Sequence, residues 1–263
     1  MNVIEAEGFG LWLGEQALLT DIDLSLEAGV SHALIGERAS GKTVLLRALM
    51  GLWPAAARTT GRLVVDGLEL SSLGHEERRR ARTRRLFYLP PSGRDSLNPI
   101  ERVEQQLTDV VLGSAGRRRD RAREVAELRA RAAKTLRELG IGDPERVLLA
   151  LPDELSGGMA KRVLIAMALL LQPTVLAADD PTAGLDVTIQ RQILELLDEI
   201  QKNEGFTMVL ATQDLGVVAH YAATVTVLQA GRVAEKTVPR AFFAGPASET
   251  GRAMLERARM TLR

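Results

Sequence analysis

The sequence predicts an α/β protein with a mostly parallel core sheet, and three observations support this fold class. Short apolar runs, such as residues 30–35 and 174–180, have the length of buried strands. After residue 155, helical and strand patterns alternate in strict order, and right-handed crossovers arrange such an order as a parallel sheet. The chain has 263 residues, of which 46% are hydrophobic, so it can bury a full core.

The first hundred residues contain further strand signals. Residues 1–30 alternate apolar and polar side chains, which is typical of antiparallel strands, and residues 61–67 and 86–89 indicate two more strands. A basic run precedes the last of these and consists of Arg78, Arg79, Arg80, Arg82, Arg84 and Arg85. It fits either a nucleic-acid patch or the solvated face of a helix. Because no aromatic side chains are interleaved for base stacking, the sequence favours the solvated helix and no nucleic-acid partner.

Between residues 96 and 155 the strand signals disappear, and Arg, Glu, Ala and Leu dominate. Apolar residues recur three or four positions apart within residues 117–139, at Val125, Leu128, Ala132, Leu136 and Leu139. This spacing predicts an all-helical insertion in the α/β order.

Composition excludes several classes of function. The formal net charge is zero, and cysteine is absent, which rules out disulfides, thiol catalysis and cysteine-ligated metals. The first residues lack the basic and apolar regions of a secretory signal, and no apolar run reaches the ~18 residues of a membrane span. We therefore expect a soluble protein, which would work at a membrane only by docking on another component.

The most specific motif is a phosphate-binding loop. It fits G-x-x-x-x-G-K-[ST] and consists of Gly36, Glu37, Arg38, Ala39, Ser40, Gly41, Lys42 and Thr43. The glycines allow backbone N–H groups to point at phosphate oxygens, Lys42 can reach the β- and γ-phosphates, and the Thr43 hydroxyl can ligate Mg²⁺. A predicted strand precedes the loop and a predicted helix follows it, as the motif requires. The sequence therefore predicts ATP and Mg²⁺ as ligands, against the alternative of a glycine turn that matches by chance.

Two further motifs accompany this loop. Asp179 ends an apolar strand, where its carboxylate can hold Mg²⁺ opposite Thr43. A serine and two glycines open a helix, where they can present hydrogen-bond donors to an anion, within the segment Leu155, Ser156, Gly157, Gly158 and Met159.

Together these motifs resemble those of the nucleotide-binding subunits of ATP-binding cassette (ABC) transporters, over nearly the whole chain. Residues 36–43 match the Walker A motif, residues 155–159 the LSGGx signature, Asp179 the Walker B aspartate, and residues 183–186 the D-loop, which ends at Asp186. Within that superfamily, four segments resemble the dipeptide, oligopeptide and nickel importers: residues 96–99, 151–159, 185–190 and 214–218.

The resemblance implies a P-loop NTPase fold of the ABC nucleotide-binding type, with a mostly parallel core sheet, an antiparallel β subdomain and an inserted helical subdomain. We expect residues 1–95 to form the first part of the ATP-binding core together with the β subdomain. Residues 96–157 would form the helical subdomain that bears the signature. Residues 158–263 would complete the core and add the C-terminal helices.

The chain departs from the family pattern at its hydrolytic positions. The glutamate expected after Asp179 is Asp180, whose carboxylate is shorter by one bond of about 1.5 Å. The expected switch histidine is Gln213, and no glutamine stands near residues 90–91, where the family has its Q-loop glutamine. The adenine-stacking aromatic aligns best with Leu13, and the neighbouring Trp12 is the other candidate.

In this family two cassettes pair head to tail, and each ATP lies between the Walker motifs of one cassette and the signature of the other. The altered hydrolytic residues predict a site that binds ATP and hydrolyses it slowly, against the alternative of tolerated or engineered substitution. Beside an intact signature they imply a heterodimer with a second, intact ATPase subunit, whose active site this signature completes. The resemblance also implies two transmembrane permease subunits, an indirect link to an extracytoplasmic substrate-binding protein, and a place on the cytoplasmic face of the cell membrane. Residues 87–110 would receive the permease.

Two other classes of protein carry similar motifs. One is a soluble regulatory or accessory ATPase, such as a carbon–phosphorus-lyase component, and the sequence leaves this alternative open. The other is a DNA-repair ATPase, which the sequence disfavours because the interval from Thr43 to Leu155 is too short for a long coiled coil.

Overall fold

The computed structural model of the protein describes residues 1–82, 85–113 and 121–261. The chain divides into two compact units. The first comprises Met1–Tyr88, Thr174–Asp180 and Leu197–Arg263, and the second comprises Leu89–Pro173 and Pro181–Leu196. The predicted helical segment 96–157 lies within the second unit.

Strands within the described residues form two sheets. They are β1 (Asn2–Leu13), β2 (Gln16–Glu27), β3 (Ser31–Ile35), β4 (Ala57–Val65), β5 (Leu68–Glu69), β6 (Leu86–Leu89), β7 (Val175–Asp179), β8 (Thr207–Ala211), β9 (Thr224–Gln229) and β10 (Arg232–Thr237). The smaller sheet is antiparallel, with the order β2-β1-β4-β5. The larger has the order β10-β9-β3-β8-β7-β6, in which β3, β7, β8 and β9 are parallel and β10 runs antiparallel to β9. The α/β class with a mostly parallel sheet is confirmed.

Helices alternate with the strands along the chain. They are α1 (Lys42–Leu49), α2 (His75–Arg82), α3 (Val103–Leu112), α4 (Arg121–Glu138), α5 (Pro144–Leu149), α6 (Gly157–Leu171), α7 (Val187–Glu204), α8 (Leu215–Tyr221), α9 (Pro239–Ala244) and α10 (Glu249–Thr261). Every residue of β3, β7 and β8 is buried, as expected for parallel strands packed on both faces.

Two hydrophobic cores lie in the first unit, on opposite sides of the larger sheet. One joins the antiparallel sheet to α1 and to Leu34 and Ala177 of the larger sheet. The other joins Ala33 and Ile35 to α8, α9 and α10. Because side chains alternate along a strand, β3 contributes to both cores. The chain that leaves β3 is therefore held on two sides at the position where the phosphate-binding loop begins.

The second unit is helical in its described part. Helix α4 packs on α5 and α6, and α3 packs on the same two helices. The predicted apolar stripe of α4 is confirmed, since Leu128, Ala132, Leu136 and Leu139 are buried and Val125 is partly buried. The first residues of the predicted helix, 117–120, lie outside the described residues.

The solvated interpretation of the basic run is wrong for Arg78. This side chain is only 6% exposed, its guanidinium carbon lies 4.2 Å from the centre of the Trp53 ring, and Nη1 donates to the Leu73 carbonyl at 2.6 Å. A guanidinium stacks on an aromatic face and keeps hydrogen bonds at its edge, which allows an arginine to be buried. Arg79 and Arg80 are exposed, and Arg84 lies outside the described residues.

One strand boundary and one whole strand differ from the prediction. Strand β4 begins at Ala57, before the predicted residue 61, because Arg58 and Thr60 pair with Trp12 and Gly10 of β1. Strand β10 was not predicted. Its exposed and partly buried residues alternate at the edge of the larger sheet, so its sequence carries no apolar run.

Candidate functional site

The phosphate-binding loop connects β3 to α1 in the first unit. Gly36 begins it with a φ of 156°, and a methyl group at this position would approach the Leu228 carbonyl oxygen to 2.4 Å. A side chain at residue 36 would therefore push the loop away from β9. Helix α1 then starts at Lys42, so its unpaired N–H groups and its positive dipole end face the loop.

Lys42 is folded back into this loop. Its Nζ donates to the carbonyl oxygens of Gly36 and Glu37, at 2.8 and 2.7 Å, and to the Ser40 hydroxyl at 3.3 Å. Burial lowers the pKa of Lys42, and the nearby carboxylates of Asp179 and Asp180 oppose that shift. The ammonium group is thus held by acceptors that phosphate oxygens can replace.

Asp179 ends β7 and is only 4% exposed. Its Oδ2 accepts a hydrogen bond of 2.8 Å from the Tyr88 hydroxyl. The Tyr88 oxygen in turn accepts a bond of 3.4 Å from Nε of Arg47 on α1. Burial is the main cause that raises the pKa of Tyr88 to about 12, so the phenol keeps its proton at neutral pH.

Asp180 and Gln213 follow two neighbouring parallel strands, β7 and β8. The Asp180 N–H donates to the Ala211 carbonyl at 2.9 Å, and the Asp180 φ of 46° is one that aspartate tolerates better than most residues. Gln213 is exposed, and the next residue, Asp214, caps α8 by accepting from the N–H of Gly216 at 2.8 Å. Strand β3 is parallel to β8, so the fold places the loop, Asp179, Asp180 and Gln213 at one carboxyl edge of the sheet.

The two adenine-stacking candidates face opposite sides of β1. Trp12 pairs with Arg58 of β4, whose guanidinium carbon lies 4.4 Å from the centre of the indole ring. The same ring lies against Gly10, where an added methyl group would come within 2.3 Å of it. Leu13 lies on the side of Leu11, which is buried in the core, and is itself 46% exposed. A single adenine ring therefore cannot stack on both residues.

The turn before β10 contacts the phosphate-binding loop directly, and the sequence had not indicated this. The Gly231 N–H donates to the Ser40 carbonyl at 2.9 Å, while the Gly231 carbonyl accepts from the Thr20 N–H at 2.9 Å. Gly231 has a φ of 74°, and an added methyl group would approach the Leu18 carbonyl oxygen to 2.4 Å. The turn thereby links the loop to β2.

The signature segment lies in the second unit. Leu155 is buried, and its carbonyl accepts a hydrogen bond from Arg94. Ser156 is exposed and caps α6, with its Oγ accepting from the Met159 N–H at 3.2 Å. Gly157 and Gly158 form the first turn of α6. Asp186 caps α7 by accepting from the Ile189 N–H at 3.0 Å.

Lys161 is a residue of this unit whose role was not predicted from the sequence. It is only 2% exposed, and its Nζ donates to the carbonyl oxygens of Pro91, at 2.5 Å, and Ala183, at 3.4 Å. The ammonium group therefore ties helix α6 to two loops, one at the expected Q-loop position and one in the D-loop segment. In the sequence, the position of Lys161 just before the apolar residues 163–171 could have indicated that this lysine is buried.

The glutamines at 105 and 106 do not replace the missing Q-loop residue within this unit. Gln105 is exposed on α3. Gln106 is buried and fastens the preceding turn, with its amide nitrogen donating to the carbonyls of Asn98 and Glu101 at 2.9 and 2.7 Å. The Gln106 amide nitrogen therefore already has two protein acceptors in the adjacent turn.

The residues at the carboxyl edge fit a nucleotide-bound magnesium ion. Among the described residues, no cluster of three or more His, Cys, Asp or Glu side chains could hold a metal ion. Mg²⁺ bound with a nucleotide needs only one or two protein oxygens, since phosphates and water supply the rest. The buried Asp179 carboxylate and the Thr43 hydroxyl are oxygen donors of that kind. Within the same described part of the chain, no helix has the length and apolar character needed to cross a membrane.

Comparisons with known proteins agree with these motifs. A family model described as ABC transporter matches residues 19–183. The chain is 36% identical over 262 residues to the oligopeptide transport ATP-binding protein OppD of Lactococcus lactis subsp. cremoris, covering 97% of this chain and 75% of that protein. It is 35% identical over 255 residues to the nickel import ATP-binding protein NikD of Pseudomonas putida, covering 97% of this chain and 94% of that protein.

Solved structures show the same fold. The dimeric ATP-binding cassette MJ0796 bound to ADP and Pi has a TM-score of 0.77 and 24% sequence identity, over 90% of this chain and 99% of that chain. The structure of cbiO1 from Clostridium perfringens, part of the transporter complex cbiONQ, has a TM-score of 0.73 and 26% identity, over 100% of this chain and 95% of that chain.

Proposed function

This chain belongs to the ABC transporter family, and we propose that it is the ATP-binding subunit of an importer for peptides or nickel. The observation that carries the proposal is the loop of residues 36–43, in which Lys42 is held by replaceable acceptors beside Asp179 and Asp180. The names of the relatives, which include oligopeptide, dipeptide and nickel transport proteins, support the class of cargo.

Each residue of the loop has a role in binding ATP. Backbone N–H groups of residues 36–43 would receive phosphate oxygens, and the Lys42 ammonium would leave its carbonyl partners for the β- and γ-phosphates. Thr43 and Asp179 would hold Mg²⁺, which neutralises charge on the phosphates when it is bound with the nucleotide. Leu13 would contact the adenine ring from the side of β1 that faces the core.

We further propose that this subunit hydrolyses ATP slowly and completes the active site of a second, intact ATPase subunit. Asp180 has a shorter reach than glutamate, and a misplacement of about 1 Å at a reacting group can cost about a hundredfold in rate. Gln213 can donate a hydrogen bond but cannot become a cation. The signature, by contrast, has its serine and both glycines, and Ser156 is exposed at the start of α6.

In this proposal the heterodimer works beneath two permease subunits on the cytoplasmic face of the membrane. ATP binding closes the dimer, and hydrolysis at the partner's site reopens it, so the permease moves by a shift between two populations. Residues 87–110 would contact the permease, and an extracytoplasmic substrate-binding protein would deliver the cargo. Asp186 in the D-loop segment would lie at the dimer interface.

A binding experiment on the isolated chain tests the nucleotide site. Lys42→Ala removes the cation that would contact the phosphates, so we expect tight binding of a fluorescent ATP analogue to be lost. Lys134→Ala is the matched control, because Lys134 is an exposed lysine on α4 that forms a surface ion pair with Glu138. Equal affinities in the wild type and Lys42→Ala would refute the assignment of this loop.

A second experiment tests the division of labour between the subunits. Ser156→Arg puts a bulky cation where a small donor would meet the partner's γ-phosphate, whereas Asp180→Asn removes a carboxylate that is already short. In the reconstituted transporter we expect near-total loss of ATPase activity from Ser156→Arg and a modest effect from Asp180→Asn. The opposite order would mean that Asp180 is a working base and that this chain drives the cycle.

A further inference from the structure

The carboxylate of Asp179 has a protein partner that the motifs do not include. Asp179 is 4% exposed, and a buried carboxylate requires hydrogen-bond donors in place of water. The Tyr88 hydroxyl supplies one to Oδ2 at 2.8 Å, from the adjacent segment β6. We propose that Tyr88 is a positioning residue, which holds the Asp179 carboxylate in the orientation that binds Mg²⁺ with the nucleotide. This inference rests on the proposed function.

Arg47 also holds the Tyr88 oxygen. Nε of Arg47 lies 3.4 Å from the Tyr88 oxygen, and its guanidinium carbon lies 5.6 Å from the centre of the Tyr88 ring. A guanidinium can only donate, so the Tyr88 oxygen accepts from Arg47 and its single hydrogen goes to Asp179. The carboxylate therefore meets a donor whose oxygen is itself held by Arg47.

The contact between Tyr88 and Asp179 leads back to α1, the helix that carries the other proposed metal-binding residue, Thr43. Arg47 lies four residues after Thr43 on α1, so the two share a face of that helix. The network runs from α1 through Arg47 and Tyr88 to Asp179 at the end of β7. Such outer-shell partners orient metal ligands, and their loss typically costs roughly 10- to 100-fold in metal affinity.

The missing Q-loop glutamine makes the contact between Tyr88 and Asp179 more important for binding the metal ion. The Q-loop glutamine that the family uses near the metal is missing at residues 90–91, where two prolines stand. Fewer protein groups thus remain to fix the ion, and a misoriented Asp179 would have less support from its neighbours.

The test separates orientation of the carboxylate from packing of the ring. Tyr88→Phe removes one hydroxyl and keeps the aromatic ring, which packs against the first-unit core. We would measure the dissociation constant of a non-hydrolysable fluorescent ATP analogue with excess Mg²⁺ and with EDTA. The ratio of the EDTA value to the Mg²⁺ value reports how much the metal strengthens binding. Tyr221→Phe is the matched control, because Tyr221 on α8 is the other tyrosine of the chain.

We expect Tyr88→Phe to lower this ratio about tenfold or more, with the EDTA value unchanged, and Tyr221→Phe to leave both values unchanged. In an Asp179→Asn background, Tyr88→Phe should lower the ratio no further, because the group that Tyr88 orients is gone. A wild-type ratio in Tyr88→Phe, or an equal loss in the Asp179→Asn background, would overturn the proposal. Failure of the wild type to bind the analogue at all would instead refute the proposed nucleotide site.

Arg47→Met gives a second variant that leaves Tyr88 in place. It removes the donor to the Tyr88 oxygen, so the hydroxyl can still donate to Asp179 but is held by one contact fewer. We expect a decrease in the ratio that is smaller than that of Tyr88→Phe. A decrease in the ratio larger than that of Tyr88→Phe would show that Arg47 acts on the nucleotide directly. It would count against the proposal that Arg47 acts through Tyr88.

Discussion

The opposite orientations of Trp12 and Leu13 lead to a specific prediction about adenine binding. Trp12 already has the Arg58 guanidinium over its ring and Gly10 beneath its edge. Leu13 is 46% exposed at the end of the side of β1 that carries the buried Leu11. We therefore expect Leu13, rather than Trp12, to contact the base, and we expect an aromatic side chain at residue 13 to tighten ATP binding.

The magnitude follows from the energetics of stacking. Stacking of a base on an aromatic side chain contributes about 1–3 kcal/mol, and about 1.4 kcal/mol is tenfold in affinity. Leu13→Tyr should thus tighten binding by roughly 5- to 140-fold. Because Leu13 is nearly half exposed, the larger ring needs no cavity, and the free energy of unfolding should change by about 0.5 kcal/mol or less.

Trp12→Leu is the control for this experiment. It removes an indole whose cation–π contact with Arg58 stabilises the sheet by about 0.5–1 kcal/mol, so it should lower stability by about that amount. It should change nucleotide affinity less than Leu13→Tyr does. Both variants would be titrated with a fluorescent ATP analogue and unfolded in urea. Weaker binding in Trp12→Leu together with unchanged binding in Leu13→Tyr would refute the argument from the faces of β1.

Three further predictions concern stability and the loop. Gly231→Ala should lower both stability and ATP affinity, because its methyl group would meet the Leu18 carbonyl oxygen at 2.4 Å. Gly67 has the same φ of 74° and no atom within 4 Å of such a methyl group, so Gly67→Ala should cost only the backbone strain of about 1–2 kcal/mol. Equal losses of stability in urea unfolding would contradict this prediction. Burial lowers the pKa of His32 below 6.5, so the folded state binds this proton less readily than the unfolded state, and stability should fall as the pH drops below about 6.5. Urea midpoints measured between about pH 5 and 8 should therefore depend less on pH in His32→Gln than in the wild type. The same pH dependence in both proteins would count against this role of His32. Phe9→Ala should destabilise by about 3–5 kcal/mol, since Phe9 is 0% exposed and packs 6.1 Å from Trp53, while a loss below about 1 kcal/mol in urea unfolding would mean that the core refills the cavity.

Sequence patterns predicted most of the fold because its strands carry their own signal. Residues 30–35 and 174–180 were predicted as buried strands, and they contain β3 and β7. These segments are uniformly apolar or strongly periodic, so local composition reports their burial. Strand β10 shows the limit. Its place at the sheet edge leaves alternate residues exposed, and only its antiparallel partner β9 specifies it.

The candidate site was predictable where a backbone shape requires particular residues, and not where side chains meet from distant segments. Gly36 and Lys42 are fixed by the loop motif. Tyr88 and Asp179 are 91 residues apart in sequence, and Lys161 and Pro91 are 70 apart, so no spacing rule relates them. The prediction for Arg78 was wrong for a related reason. Its charge indicated exposure to solvent, but Trp53, from an earlier segment of the chain, provides the aromatic surface that buries it.

Hydrogen-bond capacity explains why this chain would contribute more to a partner's site than to its own. The Ser156 oxygen accepts from the Met159 N–H, and a hydroxyl that accepts in this way still has its hydrogen to donate to a phosphate. At the chain's own hydrolytic positions the capacity is lower: the Asp180 carboxylate is one bond short, and the Gln213 amide has no charge to offer. In the proposed heterodimer, the side chains that would act on a partner's nucleotide are thus complete, whereas those that would activate water are reduced. The larger effect expected from Ser156→Arg than from Asp180→Asn follows directly from this difference.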